Sequence, residues 1–227
     1  MSLPCDYDDD PERWRASRTT VERYGVRGDV HGPVAERLAA EGLRTVLDVG
    51  GGDGRLAGVL PAAVRWIGVD ASPSQVRVAP RSAVLGDAVA LPIRSGSVDA
   101  VALLWMLYHL DDPTAALEEA HRVVRSGGLV AACTSRRDDS PELLAHLPPQ
   151  PQTTFDAEEA PVMVASVFGD VEVDAWDGPF VHLPDRDAVV DYLRGRGIGA
   201  DVAASVAAAV DVPLDVTKRG VLVWARR

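Results

Sequence analysis

Gly50, Gly51, Gly52, Asp53 and Gly54 follow directly on the apolar run Val46-Leu47-Asp48-Val49, and Leu56-Ala57-Gly58-Val59-Leu60 then resumes at helical spacing. A strand, a tight glycine turn and a helix start form the unit that holds an anionic group on free backbone N–H donors. Asp48 stands inside the strand end, where a carboxylate repels a pyrophosphate and suits a ligand that carries an ammonium group. Asp70 lies 20 residues after Gly50, at the end of the next apolar run. A carboxylate there can accept hydrogen bonds from both hydroxyls of a ribose; the alternative is a cap on the helix that follows, although Ser72 and Pro73 already supply cap chemistry. Asp87 follows Gly86 at a third strand end. Its carboxylate suits the exocyclic amine of adenine and the Ala88 N–H a ring nitrogen, or else Asp87 closes an Asx turn.

A fourth strand end offers Leu104 and Trp105, then Tyr108 and His109. His109 is the leading candidate for a general base, with a hydrogen-bonded structural histidine as the alternative. Tyr108 is a second candidate, with core packing as its bland reading. His182 is a residue that could face a second substrate. Tyr7, Trp14 and Tyr24 suit the apolar stripe that docks a leader helix, a reading that fits Trp14 best.

These positions require strands that end on one side of a sheet. Between residues 44 and 134 the pattern alternates strand and helix five times, with strands expected over 46–49, 64–69, 82–85, 98–104 and 129–134. The run over 98–104 is almost continuously apolar, the mark of a parallel strand buried on both faces. The pattern calls for a doubly wound parallel sheet, which binds ligands beyond the carboxyl ends of its strands. Helices are expected over 11–24, 33–41, 55–60, 114–124, 186–194 and 201–210, with Gly42 as a C-cap. Residues 135–161 read as a loop region with one short helix over 142–146, and strands are expected over 171–176 and 220–225.

Composition limits the partners. The 227 residues fit one domain, and 47% apolar residues suffice for a sizeable core. Thirty-four acids against 23 basic residues leave a formal charge of −11, which disfavours a bulk nucleic-acid partner. Arg136-Arg137 and Lys218-Arg219 are the only local basic candidates, and both read as solvated loop charges. Two cysteines, Cys5 and Cys133, make neither a disulfide framework nor a metal cluster, so no metal is expected. Residues 1–15 lack the apolar region of a signal peptide, and no segment approaches the roughly 20 apolar residues of a membrane span. A cytoplasmic protein, monomer or homodimer, is expected.

The stretches VLDVGGGDGRL, WIGVDASPSQV, VLGDAVALPIRSGSVDAVALLWMLYHLDDP and HRVVRSGGLVAACT together resemble the successive motifs of class I S-adenosylmethionine-dependent methyltransferases, in their small-molecule, type 11-like branch. The resemblance covers about 44–135, and more weakly the terminal strand at 218–227. It implies an α/β, Rossmann-like, doubly wound seven-stranded sheet with an antiparallel last strand and a helical N-terminal lid. It implies one domain: a lid over 1–42, a cofactor-binding core over 43–135, an acceptor-side loop region over 136–170, and final strands and helices over 171–227. By the same resemblance S-adenosylmethionine is held by Asp48, Gly50, Gly51, Gly52, Gly54, Asp70, Ala71, Asp87, Ala88, Leu104 and Trp105. Its carboxylate would rest on loop N–H groups and its ammonium near Asp48. The implied reaction is methyl transfer to a small molecule, with an oxygen or nitrogen acceptor ahead of carbon. Two rivals stay open. Gly52-Asp53-Gly54-Arg55-Leu56-Ala57 also fits the dinucleotide fingerprint of an NAD-type oxidoreductase, against which Asp48 and Asp53 weigh; a non-catalytic S-adenosylmethionine-binding domain is the second.

Overall fold

The computed structural model describes residues 8–80, 82–149 and 152–227, with backbone alone for 11–15 and 17. Its centre is a seven-stranded sheet of β1 (Thr45–Val49), β2 (Arg65–Asp70), β3 (Ala83–Leu85), β4 (Val98–Leu104), β5 (Val124–Ser135), β6 (Val171–Leu183) and β7 (Leu214–Arg226). The spatial order is β3-β2-β1-β4-β5-β7-β6. β7 runs antiparallel to both β5 and β6, while β1 to β5 pair in parallel. The order reverses between β1 and β4, and a ligand crevice opens beyond the strand ends at such a switch point.

Strand alternation divides the core in two. Val101 and Leu103 of β4 join one face cluster with Leu47 and Val130, covered by α5 (Pro113–Val123) and α7 (Ala160–Phe168). Ala100, Ala102 and Leu104 join the other with Val46, Trp66 and Trp224, covered by α2 (His31–Ala40) and α3 (Arg55–Val59). On α5, Ala116, Leu117, Ala120 and Val123 are buried at helical spacing. Asp112 caps this helix by accepting from the N–H groups of Thr114 and Ala115, a cap worth about 1 kcal/mol. α4 (Pro73–Val78) opens with Ser72 accepting from the Gln75 N–H and Pro73 in the first turn.

A third core stands apart from the sheet faces. α8 (Arg186–Gly195) and α9 (Ala200–Ala209) bury Val189, Leu193 and Val206 against Val181, Leu183 and Val216 at the outer ends of β6 and β7. Val21 and Tyr24 of α1 (Pro11–Tyr24) and Leu143 of α6 (Pro141–Leu144) pack onto the same cluster.

Several sequence expectations change here. α2 was grouped with a lid, yet Val34, Ala35 and Leu38 bury it in a sheet face beside Val46. Residues 160–168 fell in a loop region but form α7, whose nearly uniform apolar composition shows no polar face to mark a helical period. β6 and β7 each run 13 residues, about twice the expected length. Gly178 and Pro179 mask β6 because both break strands; Pro is tolerated as β6 is the sheet edge and the ladder slips between Pro179 and Val181. The glycines at 127 and 128 do not start β5 but form an irregularity within it, between the Val98–Val124 and Ala100–Leu129 pairs.

Candidate active site

Beyond the strand ends lies a cavity of about 510 Å³, inside the usual range of small-molecule sites. Gly50, Gly51 and Gly52 of the β1 loop, Asp70 and Ala71 after β2, and Asp87 and Ala88 after β3 line one half. Leu104, Trp105, Tyr108 and His109 after β4 also line it, and Phe180, Tyr192, Arg196 and Lys218 close the far end.

The glycine loop is shaped by φ angles of +66° at Gly50 and +54° at Gly52. At Gly50 a Cβ would also stand 2.6 Å from the Met106 Cβ, so this position admits no side chain. Part of the loop's N–H set is engaged within the protein, and the Asp53 N–H is not among the engaged donors. The Gly50 N–H donates to Val69 O at 2.7 Å, Gly52 N–H to Asp70 Oδ2 at 2.8 Å, and Gly54 N–H to Gly51 O at 2.9 Å. Asp70 thereby clamps the loop to the β2–α4 turn, since its Oδ1 accepts from the Ser72 N–H at 2.8 Å. A carboxylate has about four acceptor sites, so Asp70 retains capacity for ligand hydroxyls.

Asp48 and Gly54 sit behind the cavity wall. Asp48 is 3% exposed and accepts from the Trp66 indole N–H at 2.9 Å, with burial pushing its carboxyl up to about 6. It shares the face of Val46, because side chains two apart on a strand point the same way, and that face carries Trp66. Gly54 has φ +85° and backs onto Pro80, whose Cδ would stand 2.5 Å from an added Cβ. Its role is structural.

Several cavity residues gave no signal in sequence. Gln75, buried on α4, lines the cavity and its Oε1 has no hydrogen-bond partner. Asp29 accepts from His31 at 2.9 Å and pairs with Arg55 at 3.3 Å. Burial works against the Asp29 charge, but His31, Arg55 and the Val30 N–H outweigh it and bring the carboxyl down to about 2. Asp8 accepts from the Ser74 N–H at 2.8 Å and the Ser72 hydroxyl at 3.0 Å, laying the leader across the β2–α4 turn. The Ser74 N–H holds the Asp8 carboxyl below its ordinary value. Arg18 of α1 forms an ion pair with Asp53 of the glycine loop.

Trp105 ends β4 with φ +59°, a rare conformation for a bulky residue and one that functional sites favour. Its ring meets Trp176 edge-on at 6.0 Å and lies under the Lys218 ammonium at 4.8 Å. Tyr108 and His109 stack obliquely at 4.5 Å in the 3₁₀ turn Leu107–His109. His182 is elsewhere: half exposed on β6, it pairs with Asp215 at 2.7 Å and does not line the cavity. Lys218 is not a solvated loop charge but a β7 residue 14% exposed, whereas Arg136 and Arg137 lie at the surface paired with nearby acids. Tyr24 packs in the third core; Tyr7, Cys5 and the Trp14 side chain lie outside the described residues. Among the described residues no His, Cys, Asp or Glu cluster is arranged to hold a metal, and no helix is long and apolar enough to cross a membrane.

Residues 47–132 match a family model described as a methyltransferase domain. Among curated proteins, the chain is 37% identical over 106 residues to an uncharacterized methyltransferase of Mycobacteroides abscessus, covering 42% of this chain and 40% of that protein. It is 38% identical over 105 residues to an uncharacterized protein in a Streptomyces fradiae transposon, covering 41% and 30%. The chain thus spans well under half the length of these relatives. Among solved structures, the YcgJ protein of Bacillus subtilis aligns with TM-score 0.64 at 20% identity, over 87% of this chain and 97% of that one. The [4+2]-cyclase SpnF aligns with TM-score 0.62 at 21% identity, over 97% and 93%. At such identities these two structures show a shared fold.

Proposed function

We propose that this chain, whose residues 47–132 form a methyltransferase domain within a class I S-adenosylmethionine-dependent methyltransferase fold, moves a methyl group from S-adenosylmethionine to the oxygen or nitrogen of a small molecule. One observation carries the reading: a single cavity joins Asp70, Asp87 and Ala88 to a second, aromatic and cationic end built by β6, β7 and α8. A donor half and an acceptor half share one space.

The residues fit the donor. The unpartnered, buried Gln75 Oε1 beside the glycine loop calls for a ligand N–H or O–H. Asp70 holds the ribose hydroxyls with its spare acceptor capacity, and Asp87 and Ala88 take the adenine edge. The methionine carboxylate rests on the N–H groups of the glycine loop that stay available, with Arg55 nearby on the cavity wall. When bound, S-adenosylmethionine supplies an electrophilic methyl on a sulfonium. The acceptor atom would bond to that carbon as the carbon–sulfur bond broke, its electron pair going to the sulfur of S-adenosylhomocysteine. The protein's part is alignment, holding the acceptor in line within about 3–3.5 Å of the methyl. His109, which lines the cavity in the turn after β4, would receive the acceptor proton.

Calorimetric titration with S-adenosylhomocysteine, with NADH in parallel, tests the donor. Wild type is expected to bind S-adenosylhomocysteine and not NADH. Asp70→Ala is expected to weaken binding about tenfold or more, the loss of charge-assisted hydrogen bonds. NADH binding without S-adenosylhomocysteine binding would overturn the methyltransferase reading in favour of the dinucleotide one.

A further inference from the structure

At the far end of the cavity one carboxylate serves two cations. Asp139 Oδ2 accepts from Arg196 Nη2 at 3.0 Å and from Lys218 Nζ at 2.9 Å. Its other oxygen accepts from the Arg219 N–H at 2.8 Å. Burial works against the Asp139 charge, but Lys218 and Arg196 hold its carboxyl below the ordinary value. Both cations are oriented further: Arg196 Nη1 donates to the Tyr192 hydroxyl at 3.1 Å, and Lys218 Nζ to Ser135 Oγ at 2.9 Å. The three charged groups sum to one net positive charge.

Asp139, in the turn after β5, bridges Arg196 at the end of α8 to Lys218 of β7, and both cations also line the cavity. Two further carboxylates, Glu142 and Asp29, contact other groups. Glu142 accepts from the Thr217 N–H and hydroxyl, and Asp29 is engaged by His31 and Arg55. Protein surrounds the Arg196 side chain, yet 36% of it stays accessible, and Arg196 and Lys218 both line the cavity. Two cations that share one carboxylate at a cavity wall are suited to a ligand anion. Arginine offers a planar fork that matches a carboxylate. Beside the pair stand the Trp105 and Phe180 side chains, an apolar wall.

We infer that the methyl acceptor bears a carboxylate, anchored by Arg196 and Lys218 at the far end of the cavity, with a flat apolar body against Trp105 and Phe180. This rests on the methyltransferase reading for the word acceptor, but the anion site stands on its own geometry. One net positive charge is balanced by a monoanion, whereas a phosphomonoester dianion would leave a negative excess. Asp139 is a positioning residue that fixes both cations toward the cavity.

The test uses the full chain, with and without saturating S-adenosylhomocysteine, and the probes benzoate, phenylacetate and cinnamate, each beside its neutral amide and beside inorganic phosphate. Tryptophan fluorescence and ligand-observed NMR read binding. At least one carboxylate is expected to bind about tenfold tighter than its amide and than phosphate, the advantage of a charge-assisted bidentate contact. Arg196→Gln and Lys218→Met should each remove that preference and leave S-adenosylhomocysteine affinity unchanged, since either variant leaves Asp139 paired with one cation. Asp139→Asn should lower the carboxylate-over-amide preference by loosening both cations, with S-adenosylhomocysteine affinity unchanged. Equal binding of acids and amides, no carboxylate binding at all, or phosphate binding best would overturn the proposal. Loss of S-adenosylhomocysteine binding with the carboxylate preference intact would instead overturn the donor reading alone.

Discussion

Asp48 is held at the end of β1 by the Trp66 indole, almost out of reach of water, and burial pushes its carboxyl from 3.8 up to about 6. The native state therefore binds this proton more tightly than the unfolded chain does. The associated stability is whole below the unfolded value of 3.8 and is lost as pH climbs through about 6. Asp48→Asn keeps an oxygen for Trp66 and removes the titration. Relative to wild type the variant is expected to gain about 2–3 kcal/mol in urea-unfolding stability from pH ~4 to pH ~8. A difference that stays flat across that interval would place the Asp48 carboxyl at its ordinary value. His109 carries a second expectation: His109→Gln should lower kcat about 100-fold or more while S-adenosylhomocysteine affinity holds, as for a lost general base. A fall of under about threefold would leave alignment as the whole of the catalysis. Asp70, Asp87 and Ala88 were legible because each ends a strand in a repeating pattern, and the structure puts all three on the cavity wall. Asp48 was misread because its type and position suggested a ligand contact while strand alternation turned it onto the Trp66 face. The partners that engage some of the loop donors, Val69 O and the Asp70 carboxylate, come from a neighbouring strand that local sequence does not display.

Among the elements, α1 has the most direct bearing on ligand exchange. It packs against α8, its Arg18 ties it to Asp53 of the glycine loop, and Asp8 just before it clasps Ser72 and Ser74. The leader thus bridges the donor half and the third core. Asp8→Ala should speed S-adenosylhomocysteine release about three- to tenfold in stopped-flow measurements, with little change in Tm, because these contacts are exposed and local. An unchanged release rate would show that the leader does not gate the cavity. The helical spacing of α1 was plain in sequence over all 14 residues. α7 was not, since an apolar stretch without a polar face shows no period to read. The outer halves of β6 and β7 were hidden for a different reason: Gly178, Pro179 and a charged run around Lys218 look like loop until an edge position and antiparallel pairing give them partners.

At the scale of the whole molecule, the fold class followed from the alternation across 44–134, a repeating local signal, and the seven-stranded order with β7 reversed agrees with it. The acceptor end did not follow, because Tyr192, Arg196 and Lys218 reach the cavity from α8 and β7 only after the chain has crossed the sheet. Charge is divided in the same way. Asp8, Asp53, Asp70 and Asp87 surround the half assigned to a cationic donor, and Arg196 and Lys218 mark the other half. Packing respects that division: α8, α9 and the outer ends of β6 and β7 form a core of their own, continuous in sequence except for α1 and α6. A cassette so bounded can be exchanged by recombination near 179 and 217 without cutting through either sheet-face core. Descendants of such an event would keep the glycine loop and the ends of β1 to β4 and differ in one wall of the cavity, with the spliced ends inside an antiparallel ribbon.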